Sequence, residues 1–306
     1  MLGAIAIGAS AATLAHAGVY RWRLARARSI EIARQPVGPD GIIPGAEPFE
    51  HRVSATHAAL LIHGFGDTPQ TVAALGEHLS RAHGWTVRAP LLPGHGRTLA
   101  DFDRHGSSDW RDAVRAEYQA LRATYPTVVL VGLSMGGALA TIEAARTPDL
   151  KALVLLAPYL TPPARAERLA PLAGVVNLLI PYLRGGDRAQ SIFDPSARLH
   201  ALGYGAAPPK RVRDLVSVAH DARFAAADVC APTLLLHSRN DYRIPASLAE
   251  RHPSYFTGAA VLEREWLEGC GHVITVDFCR DRVFAATAAW LARYAGAPAD
   301  EARRVS

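Results

Sequence analysis

The chain has 306 residues, and 49% of them are hydrophobic, which is enough for one large domain with a sizeable core and an insertion. Its formal net charge of +5 is not spread evenly, because residues 21–34 hold five arginines and a single glutamate. The excess charge is therefore a local cluster, and it excludes a broad nucleic-acid-binding face.

The cysteines are too few to build a disulfide framework. Cys230, Cys270 and Cys279 form no C-x-x-C pair, and their number is odd. We therefore expect buried free thiols, and a Cys270–Cys279 bridge is the alternative.

The first 20 residues form an uncharged, alanine-rich segment that is just long enough to cross a bilayer. The arginines behind it favour a membrane anchor with the following domain in the cytoplasm, and they attract anionic lipid headgroups. We predict membrane association through residues 2–20 and the cluster Arg21, Arg23, Arg26 and Arg28. The alternatives are a signal cleaved after Ala17, which gives a secreted or periplasmic protein, and a soluble cytoplasmic protein.

Residues 21–56 are predicted to be an arginine-rich start followed by an extended linker, because prolines and glycines recur from Pro36 to Pro48. Apolar strand patterns and helical patterns then alternate through residues 57–306. This rhythm predicts an α/β domain with a mainly parallel, doubly wound sheet that has helices on both faces. The predicted strands are 58–62, 85–90, 127–133, 151–157, 233–237 and 261–267. The predicted helices are 69–84, 108–124, 135–148, 210–224, 246–255 and 279–294.

The rhythm breaks at about residues 158–209. Residues 169–183 are apolar almost all round but are interrupted by Pro171 and Pro181, so they are too short and broken to span a membrane. An apolar helix outside the regular alternation needs a surface to cover. We interpret the insertion as a small helical cap over a pocket, and an extra core helix is the alternative.

One strand-to-helix turn carries the strongest chemical signal. The strand 127–133 leads directly into Gly132-Leu133-Ser134-Met135-Gly136, which is Gly-x-Ser-x-Gly in the context that gives it meaning. The glycines stand where a Cβ would clash with a neighbouring element. The turn is predicted to expose the Ser134 hydroxyl as a nucleophile near the positive end of the following helix.

A serine nucleophile needs a base, and the base needs a carboxylate. His272 follows an apolar strand in a glycine-rich loop, and Asp241 lies just past the end of strand 233–237. We predict a Ser134–His272–Asp241 triad, with Asp277 as the competing carboxylate. Three other histidines are set aside: His63 and His95 are expected to support loops, and His220 lies on a predicted helix.

An oxyanion that forms on the substrate needs backbone N–H donors already in place. We predict that Met135, at the start of the helix after the nucleophile, supplies one N–H. Phe65 is expected to supply the other, because Gly64 and Gly66 on either side let the main chain approach the substrate. We find no phosphate-binding glycine motif and no metal-ligand spacing, so no cofactor and no metal are expected.

Together these stretches resemble the α/β-hydrolase family, and within it the branch of small bacterial carboxylesterases and monoacylglycerol lipases. The similarity rests on His63-Gly64-Phe65-Gly66, on the serine turn, on Asp241 and on Gly271-His272-Val273-Ile274-Thr275. The family's first strands are not evident before residue 58, so the sheet is expected to be short at that edge.

The resemblance implies a serine carboxylesterase that hydrolyses short- to medium-chain acyl esters through an acyl-enzyme. Its partner would be a small-molecule or lipid ester substrate, and it would bind no nucleic acid. The alternatives that share the triad are a monoacylglycerol lipase, a thioesterase, an acyltransferase and a carbon–carbon bond hydrolase. A binding protein that keeps the fold without the chemistry is the remaining alternative.

Overall fold

The computed structural model describes residues 2–185 and 188–298, with the side chains of residues 15–185 and 189–298. Within this range, seven strands form one sheet and two short strands form a separate antiparallel ribbon. The strands are β1 (Phe49–His51), β2 (His57–Ile62), β3 (Thr86–Ala89), β4 (Thr127–Leu133), β5 (Leu153–Leu156), β6 (Leu183–Arg184), β7 (Ala206–Ala207), β8 (Thr233–Ser238) and β9 (Leu262–Leu267).

The large sheet has the order β1-β3-β2-β4-β5-β8-β9. All neighbouring strands are parallel except β1, which pairs antiparallel with β3. The carboxyl ends of β4, β5 and β8 therefore meet at one edge near the middle of the sheet. Ligands of open parallel sheets bind at such an edge.

Eleven α-helices surround the sheet in the described part of the chain. They are α1 (Leu2–Arg34), α2 (Gln70–His83), α3 (Leu99–Phe102), α4 (Ser107–Arg122), α5 (Met135–Ala145), α6 (Ala164–Leu169), α7 (Ala173–Leu179), α8 (Pro195–His200), α9 (Pro209–Ala225), α10 (Ala246–Ala249) and α11 (Arg280–Ala295).

Alternation along the strands divides the core into two layers. In β4, Val128 and Leu130 pack into the layer that also holds Trp110 and Val218, from α4 and α9. Val129, Val131 and Leu133 instead point to the opposite layer, which contains residues of α2 and α11. Side chains that alternate between two apolar layers are what a parallel sheet covered on both faces requires. The predicted α/β architecture is confirmed.

The sheet extends further than the sequence suggests at one edge. β1 lies inside the predicted linker and pairs with β3, so one three-residue strand that the sequence does not reveal precedes residue 58. A strand of three residues is too short to show the alternation of apolar and polar side chains by which strands are detected in a sequence. The side chain of Arg88, on β3, pairs with Glu50 of β1 at 2.8 Å, across the two strands.

The region predicted as a cap folds as three short helices, α6, α7 and α8, and the ribbon β6–β7, between β5 and α9. The predicted apolar helix 169–183 is broken, because a 3₁₀ turn at Ala170–Leu172 precedes α7. Pro171 lies in that turn, where its missing N–H is tolerated. Much of α7 is exposed: Val175 is 61% and Leu178 69% accessible to solvent.

The N-terminal segment does not end at the predicted anchor. α1 runs without a break through the arginine cluster to Arg34, and its last turns contact the cap region. None of the helices in the described part of the chain combines the length and apolar character that a bilayer crossing requires. The side chains of residues 2–14, on which the predicted anchor 2–20 largely depends, lie outside the described residues. The predicted membrane association and membrane localisation thus have no support here.

The cysteine expectation needs correction. Cys270 and Cys279 form a disulfide, and Cys230 is an exposed free thiol, so the expectation of buried free thiols is wrong for all three. The two bonded residues are nine positions apart, on either side of His272. Sequence spacing alone does not reveal that the loop folds back and brings their Cα atoms to 5.8 Å.

Candidate active site

Ser134 sits at a strained turn between β4 and α5. Its φ of 54° is in the left-handed region, which non-glycine residues rarely adopt. A Cβ on Gly132 would lie 2.3 Å from the Gly136 carbonyl oxygen, and one on Gly136 would lie 2.1 Å from the Ile62 oxygen. Both obstacles are backbone atoms that cannot move aside. The close approach at these two glycines explains why the sequence Gly-x-Ser-x-Gly is needed here.

The structure brings Ser134, His272 and Asp241 into contact at the carboxyl edge of the sheet. The Ser134 Oγ lies 2.8 Å from His272 Nε2, and His272 Nδ1 lies 2.7 Å from Asp241 Oδ2. The hydroxyl can therefore donate its proton to the imidazole, whose other nitrogen donates to the carboxylate. This is the spacing that a nucleophile, a base and an orienting acid require.

Asp241 is held in its ionised form. Burial alone would raise the pKa of this carboxyl group, but the neighbouring His272 and hydrogen bonds from His237 and His272 outweigh burial and lower the pKa below its usual value. The Asp241 Oδ1 also accepts backbone N–H bonds from Arg243 and Ile244, at 2.7 and 2.9 Å. A carboxylate fixed this way keeps its charge next to the imidazole across the neutral pH range.

Asp277, the competing carboxylate, has a different place. Its two oxygens accept four backbone N–H bonds, all between 2.7 and 2.9 Å, from Phe193, Asp194, Gly271 and Phe278. It therefore joins the part of the cap region just before α8 to the loop that carries His272. Asp241, and not Asp277, occupies the position beside the imidazole.

The three histidines that the sequence analysis set aside, His63, His95 and His220, form hydrogen bonds with other parts of the protein and not with Ser134. His63 is fully buried, its Nδ1 donates to the Gly64 carbonyl oxygen and its Nε2 accepts from the Leu92 N–H. Burial lowers its pKa to about 4, so it is neutral. The pKa of His95 is also well below its usual value. Burial is the main cause, and the nearby His63 adds to it. His220 contacts Glu167 on the surface, on α9 as expected.

The two residues predicted to form the oxyanion hole lie on either side of the Ser134 turn. Met135 is the first residue of α5, where a backbone N–H has no acceptor within the helix. Phe65 follows β2, and its ring packs between Phe102 and Trp110, with centroids 5.1 and 5.8 Å away. Among the described residues, neither N–H is bonded to another protein group. Both amides are available to a ligand at Ser134.

A cavity of about 690 Å³ opens above Ser134 and is lined by the loop 63–69 that carries Phe65, by the cap region and by the His272 loop. Most of its lining is apolar, and it includes Leu169, Ala173 and Val176 from the cap. The charged residues that line it are four arginines and one aspartate: Arg165, Arg184, Arg213, Arg243 and Asp67. A site of this kind suits a largely apolar substrate and is unfavourable for a cation.

Sequence reasoning missed one member of this site. His237, the penultimate residue of β8, is buried, and its Nε2 lies 3.3 Å from Asp241 Oδ2 and 2.9 Å from the Ile244 oxygen. Its position at the end of a strand that leads to Asp241 was a usable signal, because such residues face the edge where the site forms. In the described part of the chain, no group of three or more His, Cys, Asp or Glu side chains could hold a metal.

Residues 54–277 match the sequence profile of the family described as serine aminopeptidase, S33 (Hydrolase_4). Two curated proteins are similar over most of their length. A thermostable monoacylglycerol lipase of Bacillus sp. (strain H-257) is 28% identical over 83% of this chain and 98% of its own. A carboxylesterase of Bacillus subtilis (strain 168) is 26% identical over 78% of this chain and 92% of its own.

Solved structures show the same fold. One chain, from a study of LipS and LipT, two metagenome-derived lipolytic enzymes, superposes with a TM-score of 0.73 and is 28% identical. The match covers 83% of this chain and all of that one. A monoacylglycerol lipase from Paleococcus ferrophilus, 21% identical, has a TM-score of 0.67 over 81% of this chain and 99% of its own.

Proposed function

Because the chain belongs to the S33 serine aminopeptidase (Hydrolase_4) family of α/β-hydrolases, we propose that it is a serine carboxylesterase for short- to medium-chain acyl esters. That it is a serine hydrolase of the esterase and lipase type follows from the family and its relatives. The observation that carries the finer proposal is the contact series from Ser134 Oγ to His272 and from His272 to Asp241, at 2.8 and 2.7 Å.

The proposed reaction has two steps. His272 Nε2 takes the proton of Ser134 as its oxygen attacks the ester carbonyl, and the resulting oxyanion accepts hydrogen bonds from the N–H groups of Phe65 and Met135. His272 then gives the proton to the leaving alcohol, which departs and leaves an acyl-enzyme. A water molecule, deprotonated by the same imidazole, releases the acid and restores Ser134.

A monoacylglycerol lipase is the second candidate function. The cavity of about 690 Å³ is lined mostly by apolar side chains of the cap, which fits an acyl chain. The curated relative with that activity is similar over 98% of its length. Aminopeptidase activity, after which the family is named, is less favoured. A free peptide N-terminus is a cation, and the cavity offers it four arginines and one carboxylate.

The decisive experiment replaces Ser134 with alanine. The wild-type chain should release a burst of p-nitrophenol from p-nitrophenyl butyrate and should be labelled by a fluorophosphonate probe. Ser134→Ala should lose both properties and keep its circular dichroism spectrum and melting temperature. Turnover in that variant at the wild-type rate contradicts the mechanism.

Substrate class needs a second measurement. Hydrolysis of p-nitrophenyl esters, of the matching thioesters and of 1-monoacylglycerols is compared across acyl chains of 2 to 16 carbons. A carboxylesterase should have its highest kcat/KM on short and medium chains of the simple esters. A maximum on long-chain monoacylglycerols would favour the second candidate, and a maximum on thioesters would contradict both.

A further inference from the structure

The C-terminal part of α1 contacts a segment of the cap region that reaches the loop 63–69, which carries Phe65 and which we call the oxyanion loop. We call residues 201–205 the tether segment. The Arg34 Nη2 donates to the Gly203 carbonyl oxygen at 2.8 Å, and the Gly205 N–H donates to Glu31 Oε2 at 3.3 Å. Gln35, directly after the helix, donates from its side-chain amide to the Ala201 oxygen at 3.1 Å. Three side-chain contacts from the end of α1 and the residue after it thus fix the backbone of the tether segment.

The helix end is itself ordered by a charged pair. Glu31 is only 9% exposed, and its carboxylate pairs with Arg34 within the same turn. A Cβ on Gly205 would lie 2.7 Å from Glu31 Oε1, so the tether backbone and the carboxylate are in close contact. A partly buried, charge-assisted pair holds its partners more firmly than an exposed one.

The tether segment in turn holds the oxyanion loop. The Tyr204 N–H donates to the Gly66 carbonyl oxygen at 2.8 Å, and a Cβ on Gly203 would lie 3.1 Å from that same oxygen. Gly66 has a φ of 67°, and Gly64 stands on the other side of Phe65. A residue between two glycines has little conformational restraint of its own, so its orientation depends on such outside contacts.

The Tyr204 side chain adds a second attachment. Its hydroxyl accepts from the Arg97 N–H at 3.0 Å and lies within hydrogen-bond distance of the Gly94 and Arg97 oxygens. Its ring packs on Phe102 with centroids 4.9 Å apart, and Phe102 packs on the ring of Phe65. Both the backbone and the ring of Tyr204 therefore lead to Phe65.

We propose that Glu31 and Arg34, at the end of α1, are positioning residues for the oxyanion hole. They fix the tether segment, whose Tyr204 fixes Gly66 and so aims the Phe65 N–H at the substrate. The proposal rests on the proposed function only for the role of that N–H. It assigns a task to a helix that lies outside residues 54–277, the part that matches the family.

The first test compares kinetics of Arg34→Gln and Glu31→Gln with those of the wild-type chain on p-nitrophenyl butyrate. Removing one oxyanion donor costs about a hundredfold or more in kcat, so a misaimed donor should cost about tenfold, with KM changed less than twofold. The affinity for butylboronic acid, which forms a tetrahedral anion on Ser134, should fall by the same factor. Arg34→Lys, which keeps the positive charge and N–H donors on a single nitrogen, should recover part of the loss.

The matched control is Arg23→Gln, which removes an exposed arginine of the same helix that makes no hydrogen bond among the described residues. It should behave as the wild-type chain in every assay. Gly205→Ala should also lower kcat and the boronate affinity. Its methyl group would lie too close to the Glu31 carboxylate and so disturb the tether contact, although Glu31 and Arg34 themselves are unchanged. The proposal would be overturned if Arg34→Gln, Glu31→Gln and Gly205→Ala changed only the melting temperature and left kcat and the boronate affinity as in the wild-type chain.

The second test does not depend on activity. Hydrogen exchange of the Tyr204 and Phe65 region is followed by mass spectrometry in the full chain and in Arg34→Gln. We expect at least about tenfold faster exchange in peptides that cover residues 201–205, because loss of the contacts with α1 frees the N–H groups of Tyr204 and Gly205. Unchanged protection there refutes the proposal even if the chain proves to have no esterase activity.

Discussion

The edge of the sheet that holds Ser134 and the cap region above it are built in opposite ways. At the edge, side chains are buried and backbone atoms approach so closely that Gly132 and Gly136 have no alternative. In the cap, α7 leaves several large apolar side chains exposed, among them Val175 and Leu178. The first region allows one geometry for the reacting groups. The second sets the shape of the space that a substrate enters, and its contacts restrict that shape much less.

The comparison is sharpest at the two carboxylates of the His272 region. Asp241→Asn should reduce kcat by about 10⁴, because an amide no longer stabilises the imidazolium or fixes its tautomer. Asp277→Asn should leave kcat within about tenfold of wild type and lower the melting temperature, because an NH₂ group would then face backbone N–H donors. Initial rates and thermal unfolding of both variants decide. Equal losses of kcat would show that the two carboxylates share one role.

The disulfide gives the second largest effect. Cys270–Cys279 closes a short loop that contains His272, and a bridge over about ten residues contributes on the order of 2–3 kcal/mol to the free energy of unfolding. The Cys270→Ser, Cys279→Ser double variant should lose about that amount in urea unfolding. Cys230→Ser, at an exposed free thiol, is the control and should unfold at the wild-type urea concentration. If the double variant is as stable as the wild-type chain, the disulfide does not contribute to the free energy of unfolding.

Buried neutral histidines make the edge of the sheet sensitive to acid. Burial, and then the nearby His237, lower the pKa of His252 to about 3. In the unfolded chain this imidazole binds a proton near pH 6.5, whereas in the folded chain it stays neutral until about pH 3. Protons therefore favour unfolding between these values, by about 1.4 kcal/mol for each pH unit.

His252→Leu removes this group and fills the same space. Its free energy of unfolding should match that of the wild-type chain near pH 7 and exceed it increasingly as the pH falls below 6.5. Urea unfolding at pH 7.0, 6.0, 5.0 and 4.0 measures the difference. Parallel curves for His252→Leu and wild type would contradict the assigned pKa.

The division between the two regions also explains what the sequence could and could not predict. The strands around Ser134 were predictable because buried parallel strands are short apolar runs, and the turn was predictable because only glycine fits there. Asp241 and His272 follow such strands, and their meeting is a consequence of parallel topology. The place of Asp277 was not predictable, because it depends on backbone N–H groups contributed by the cap.

Outside the sheet, the pattern of apolar and polar residues in the sequence predicts less of the structure. Val175, Leu178 and Leu179 of α7 are exposed, so their hydrophobicity does not indicate burial against a core. The sequence predicts only an arginine-rich start at the end of α1, whereas Glu31 and Arg34 contact the tether segment 169 or more positions away in the chain. Contacts between side chains and distant backbone groups leave no periodic signature in the sequence. They are fixed only once the whole chain has folded.

The smallest effect tests whether the cap sets substrate size. Val176 lines the cavity, whereas its neighbour Val175 is 61% exposed on the other side of α7 and does not line it. Val176→Phe should lower kcat/KM for p-nitrophenyl esters of eight or more carbons by about tenfold, because a few methylene groups lose their space. Acetate and butyrate esters should react as before, and Val175→Phe should match wild type on every ester. If both phenylalanine variants have the wild-type chain-length profile, the walls of the cap yield to the substrate, and acyl-chain preference is set instead by the buried residues near Ser134.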